Sequence, residues 1–249
     1  MIGRTKHRFP NLACMKLSGY YKELGNEVEL KLDYEDLDTY DKVFVSKVFT
    51  DTPIDESILE LPNVEYGGTG FFYDKAPKLP DEIEHHIPDY HLYDEYISKK
   101  IAEGRKPSYF NDYKYYSIGF LTRGCIRHCP FCVNKLENGV YRYSELEWFI
   151  DQERDENGKL LRPYIYLWDD NFLAAPKEIW RPMLQKLIDS KRPFQFRQGL
   201  DERILAESED GEEIAELLSK CNYHGDFIFA FDNWRDREKI IKALKIWKK

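Results

Sequence analysis

The stretch Ile118-Gly119-Phe120-Leu121-Thr122-Arg123-Gly124-Cys125-Ile126-Arg127-His128-Cys129-Pro130-Phe131-Cys132 decides how this chain is read. An apolar run leads into three cysteines spaced C-x3-C-x2-C, which is how a strand presents thiolates to a metal. Soft thiolates favour zinc, copper or an iron–sulfur cluster. A structural zinc takes four protein ligands in paired spacings, and the chain holds no second C-x2-C. A [4Fe–4S] cluster on three cysteines leaves one iron open to another ligand. Two simpler readings stand beside it: a zinc knuckle completed by His128, and three unrelated thiols.

Working outward, strand-like and helix-like segments alternate. Residues 115–121 read as a strand. Ser144-Glu145-Leu146-Glu147 reads as a capping box opening a helix through Ile150. Strands at 163–168, 194–197 and 226–231 alternate with helices at 176–188, 212–220 and 235–249. Such alternation implies a parallel sheet with right-handed crossovers. In βα barrels functional groups gather at the carboxyl ends of the strands. Those ends carry Arg123 and the cysteine loop, Asp169-Asp170-Asn171, Arg197-Gln198 and Asp232-Asn233. For Asp169–Asn171 a capping role fails on distance, because the next helix begins near Pro176. For Asp232-Asn233 it is as good as a functional one.

Cys125, Cys129 and Cys132, with Phe131 before the last, resemble the C-x3-C-x-aromatic-C signature of radical S-adenosylmethionine (SAM) enzymes. Asp169-Asp170-Asn171-Phe172 resembles a phrase found after the second strand in a subgroup of them. The resemblance implies a [4Fe–4S] cluster on the three cysteines, with SAM chelating the fourth iron. Reductive cleavage would then yield methionine and a 5′-deoxyadenosyl radical acting on an unknown substrate. It further implies an electron donor such as a flavodoxin or ferredoxin. Asp169, Asp170 or Asn171 could hold the SAM ammonium. Arg197 and Gln198 could meet its carboxylate or ribose hydroxyls, and Phe131 could lie against the adenine. The family core has six βα units and this sequence offers four, over residues 115–249, so a partial barrel is expected. The chain would then be a fragment, an abbreviated barrel or a protein completed by a partner. The alternative function is a non-catalytic zinc-binding or degenerate radical SAM module that serves in protein interaction.

Residues 1–74 read as a small Rossmann-like α/β domain: a helix over 11–25 capped by Gly25, strands at 28–32, 42–46 and 64–66, then Gly67-Gly68-Thr69-Gly70. Pro10-Asn11-Leu12-Ala13, the helix end Lys22-Glu23-Leu24-Gly25, and Gly67-Gly68 are similar to the cobalamin-binding-like domain that precedes many radical SAM barrels. The D-x-H-x-x-G motif that supplies the lower cobalt ligand is missing, and the first strand, before Phe9, is short and charged. A repurposed domain without cobalamin is therefore expected. The glycine run reads as a turn in preference to a phosphate cradle. Residues 75–114, punctuated by Pro77, Pro80, Pro88 and Pro107, read as a connector, and His85, His86 and His91 as solvated loop histidines.

The 249 residues suffice for one large domain or two smaller ones. Five cysteines, three in one loop, make no disulfide framework, and Cys14 and Cys221 read as buried apolar thiols. No apolar core follows the basic start and no run of about eighteen apolar residues occurs, so a reducing cytoplasm and no membrane span are expected. A net charge of −8 argues against general nucleic-acid binding. Arg123, Arg127, His128 and Lys135 form a local basic rim. It could draw an anionic substrate or an acidic donor, or compensate a negative cluster.

Overall fold

Tyr116–Gly119 (β3), Tyr164–Leu167 (β6) and Phe194–Phe196 (β7) form a parallel sheet in the order β3-β6-β7. The computed structural model describes residues 9–248. Contacts divide the chain into two units, meeting in sequence at Tyr115/Tyr116. Among the described residues the architecture is mixed α/β with parallel strands and no closed barrel.

In the second unit, alternation along β6 and β7 sends Ile165, Leu167, Phe194 and Phe196 to one face, each at most 1% exposed. Two helices cover that face. Lys177–Ser190 buries Trp180, Met183, Leu184 and Leu187, one stripe at i, i+3, i+4 and i+7. Gly211–Ser219 buries Ile214, Leu217 and Leu218. The opposite face is aromatic and polar: Tyr116 stacks on Tyr166 at 3.7 Å, and its hydroxyl lies 3.0 Å from His224 Nε2.

Three expectations are revised here. The apolar run is not one strand: β3 ends at Gly119, and a separate strand Thr122–Cys125 (β4) pairs antiparallel with Gly139–Arg142 (β5). The cysteine loop therefore closes a hairpin. The capping box does not form. Ser144 donates to the Phe120 carbonyl and Glu147 pairs with Lys186 at 2.6 Å, leaving only a 3-10 turn over Leu146–Trp148. The fourth expected strand, 226–231, is reduced to one parallel bridge, Leu200–Phe229, with a second, Phe194–Tyr223, just before it. The last helix is Arg237–Trp247, preceded by a 3-10 turn whose first N–H groups are met by Asn233, so capping is the observed role of that residue.

In the first unit the expected helix is present as Leu12–Glu23. Asn11 caps it by accepting from the Cys14 N–H, and Gly25 closes it at φ +84°. Val43–Ser46 (β1) and Val64–Gly67 (β2) pair in parallel, Val43 opposite Val64. Residues 28–32 form no strand; the Tyr40 hydroxyl donates to the Glu29 carboxylate, and Lys31 pairs with Asp33. The expected first strand, before Phe9, lies outside the described residues. The stretch read as a connector supplies most of one core, in which Tyr90, Leu92, Tyr93, Ile97, Phe110 and Tyr113 pack with Cys14 and Met15. Of the three histidines expected to be solvated, His85 and His86 are half-buried; His86 contacts Glu23, and the exposed His91 contacts Asp94. No described helix is long and apolar enough to cross a membrane.

Candidate metal centre

Hydrogen bonds from the carboxyl ends of β6 and β7 converge on the cysteine hairpin, into which β3 leads directly. After β6, the buried Asp169 accepts from the backbone N–H groups of Leu121 (3.1 Å) and Thr122 (2.6 Å) and from the Thr122 hydroxyl (2.6 Å). Asp170 accepts from the Gly124 N–H at 2.9 Å and pairs with Arg123 at 3.6 Å. Asn171 donates through Nδ2 to Cys125 Sγ at 3.5 Å and to Asp201 at 3.2 Å. After β7, Asp201 accepts from Arg127 and from Arg203, both at 2.5 Å. Arg127 lies inside the C-x3-C segment, so this carboxylate holds the loop from below.

The backbone of the hairpin is shaped for close approach. Gly124 has φ +96°, and a Cβ there would meet the Gly139 carbonyl oxygen at 2.2 Å. His128 adopts φ +43°, and its Nδ1 lies 2.9 Å from the Lys135 carbonyl, so that nitrogen donates. The ring staples the two sides of the loop. Within it the Cys132 N–H donates to the Cys129 carbonyl, and the Asn134 N–H donates to Cys132 Sγ at 3.4 Å.

Electrostatics separate the residues. Burial raises the Asp169 carboxyl to about 6 despite its three donors. Burial would also raise Asp201, but the bonds from Arg203 and Arg127 outweigh it and hold that carboxylate below its ordinary value. The Cys129 thiol is raised, first by burial and then by the Cys125 and Cys132 sulfurs, so both lie within electrostatic reach of Cys129. All three are partly accessible and free of disulfides. Cys14 and Cys221, by contrast, are pushed up to about 12 by burial, as expected of inert apolar thiols.

The donor set suits soft iron chemistry in kind and number. Among the described residues no group of three or more His, Cys, Asp or Glu side chains is arranged to hold a metal ion. The three thiols share one loop but do not close around one point.

The other expected contacts divide sharply. Asp169 and Asp170 are engaged with the backbone of β4. Asn171 makes no side-chain cap of the following turn, and its buried Oδ1 has no hydrogen-bond partner. Phe131 is 69% exposed beside the cysteines. Arg197 and Gln198 are exposed, and the Arg197 guanidinium lies over the Tyr166 ring at 5.1 Å. The basic rim is largely neutralised. Arg127 pairs with Asp201 and Glu207, and Arg123 pairs with Asp170 and lies over Phe120 at 4.1 Å, so both arginines are engaged with neighbouring carboxylates.

Thr122, Asp201, Glu202 and Arg203 belong to this centre and escaped the sequence reading. Glu202 is 1% exposed with neither carboxylate oxygen hydrogen-bonded, and burial raises its pKa. The signal was present: Asp201-Glu202-Arg203 follows the third strand as Asp169-Asp170-Asn171 follows the second. No protein-family model, no curated protein and no solved structure matches this chain.

Proposed function

We propose that the chain is a radical SAM enzyme whose Cys125, Cys129 and Cys132 bind a [4Fe–4S] cluster, and that its second unit is part of a (βα) barrel. One observation carries the reading. Three accessible thiols sit in a single hairpin loop, tied to the carboxyl ends of a parallel sheet by Asp169, Asp170, Asn171 and Asp201. A bound cluster with SAM would supply one-electron cleavage of the sulfonium and a 5′-deoxyadenosyl radical that takes hydrogen from a substrate.

This chain's own residues would position and shield. Asp169 and Asp170 fix the strand that ends on Cys125. Of the three residues expected at the SAM ammonium, Asn171 has the unengaged acceptor, Oδ1, and it is the one we assign to that group. Phe131, exposed on the loop, offers a ring face to adenine. Arg197 and Gln198 remain candidates for the carboxylate or ribose. Electrons would come from a small donor such as a flavodoxin or ferredoxin, in a reducing cytoplasm. The small parallel domain in the first unit is proposed as a Rossmann-like, cobalamin-free relic.

Anaerobic reconstitution with iron and sulfide, followed by dithionite and SAM, tests this directly. Brown protein with about four irons per chain that releases 5′-deoxyadenosine is the expected result. Colourless protein, or one stoichiometric zinc on the same cysteines, overturns it.

A further inference from the structure

Asn171 is 6% exposed and presents two N–H donors to two acceptors, Cys125 Sγ at 3.5 Å and Asp201 Oδ2 at 3.2 Å. That pairing fixes the amide's orientation, because a flipped amide would set its oxygen against a sulfur and a carboxylate. Asp201 is itself immobilised. Arg203 holds its second oxygen, Arg127 shares the first, and Arg203 is anchored in turn by Asp236 at 2.8 Å. The N–H aimed at Cys125 is therefore pre-positioned and shielded from water.

We propose that Asn171 sets the reduction potential of the cluster by donating this N–H to the Cys125 sulfur. The inference rests on the cluster reading above. Reduction adds one electron, and part of its charge spreads onto the ligating sulfurs. An N–H dipole on a sulfur stabilises the reduced state more than the oxidised one, which raises the potential. Two such donors are present. The one on Cys132 comes from the backbone of Asn134, which substitution leaves in place. The one on Cys125 comes from a side chain, so it can be removed cleanly. Asn171 is a positioning and tuning residue in this role, in which its Oδ1 takes no part.

The test is an anaerobic redox titration of the reconstituted proteins, followed by electron paramagnetic resonance, with iron content measured first. Asn171→Leu, nearly isosteric and without donors, is expected to keep its iron and to have its one-electron reduction equilibrium weakened about tenfold, about 59 mV more negative. Phe172→Leu, a substitution in the adjoining core, is expected to lower the melting temperature and leave the midpoint unchanged. A wild-type midpoint in Asn171→Leu, or equal shifts in both variants, overturns the proposal. A second measurement needs no variant. Wild-type protein carrying asparagine labelled with ¹⁵N at the side-chain amide alone is expected to show a coupled nitrogen in the reduced cluster's hyperfine spectrum. Loaded protein without that coupling overturns the tuning role alone. Wild type that takes up no iron overturns the cluster reading and this inference together.

Discussion

Two parallel sheets in this molecule end in opposite ways. At the carboxyl end of β1–β2 the backbone closes on itself. The Lys47 N–H donates to the Gly67 carbonyl at 3.0 Å, and the Lys47 carbonyl accepts from the Gly70 N–H at 2.8 Å. The glycine run is not the plain turn expected: Gly67 ends β2, and Gly68 leads into a one-turn helix, Thr69–Phe72. At the carboxyl end of β3–β6–β7 the backbone is completed by side chains. Asp169, Asp170, Asn171 and Asp201 reach across from neighbouring strands to hold the cysteine hairpin. The difference explains where chemistry can live. Backbone closure spends its hydrogen bonds locally, Lys47 with Gly67 and Gly70. Side-chain closure leaves three thiols and the buried Asn171 Oδ1 available.

The largest expected effect lies on the thiols. Cys125→Ala, Cys129→Ala and Cys132→Ala should each abolish cluster loading, while Cys14→Ala and Cys221→Ala should retain wild-type iron after anaerobic reconstitution. Equal retention across the five would erase the distinction between the two ends.

Next comes the carboxylate that supports the hairpin. Asp169→Ala strands the N–H groups of Leu121 and Thr122 and the Thr122 hydroxyl in a buried place, and should cost about 3 kcal/mol in urea unfolding. Its pH dependence has a definite sign. A carboxyl raised from 3.8 to about 6 by burial binds its proton more tightly in the folded state. Its contribution is full below about pH 4 and is lost as pH rises through 6. The wild type should therefore shed stability between pH 4 and 6, and Asp169→Ala should lack that slope. A flat difference between the two would show that Asp169 is not desolvated as described.

The comparison also marks what could be seen in the residues alone. The thiol spacing, the helices around Leu184 and Leu217, and the acidic phrase after β6 were legible because each is a local pattern with one dominant physical cause. The hairpin was not, since β4 pairs with β5 across a thirteen-residue loop and nothing in Thr122-Arg123-Gly124 announces a partner. The capping box failed because Ser144 found the Phe120 carbonyl and Glu147 found Lys186, tertiary partners that outcompeted the local motif. Asp169 and Asp170 were recognised as important but assigned outward; both point to backbone, a choice set by neighbouring strands. Asp201 hid in a charged triplet that reads like any helix start.

At the backbone-closed end, Gly68 gives the matching test. It sits at φ +105°, and a Cβ there would meet the Lys47 carbonyl oxygen at 2.3 Å. Gly68→Ala should cost about 2 kcal/mol through strain and displacement of that turn, with iron uptake by the other unit unchanged. Loss of iron in this variant would tie the two ends together and remove the contrast.

The smallest effect separates support from chemistry within the site itself. Arg127 bonds Asp201 at 2.5 Å and Glu207 at 2.7 Å, but Arg203 remains on Asp201 when Arg127 is gone. Arg127→Met keeps the apolar stem and should cost about 1 kcal/mol in the apo protein, since a second cation still covers the buried carboxylate. The pH signature runs opposite to that of Asp169. Asp201 is held below its ordinary value, so its contacts contribute stability that is present above pH 4 and lost as pH falls through its lower folded value. Removing Arg127 should shrink that acid-side loss. A variant that unfolds in acid as the wild type does would mean that Arg203 alone holds Asp201, and the cysteine loop would then be anchored through Asn171 rather than through its own arginine.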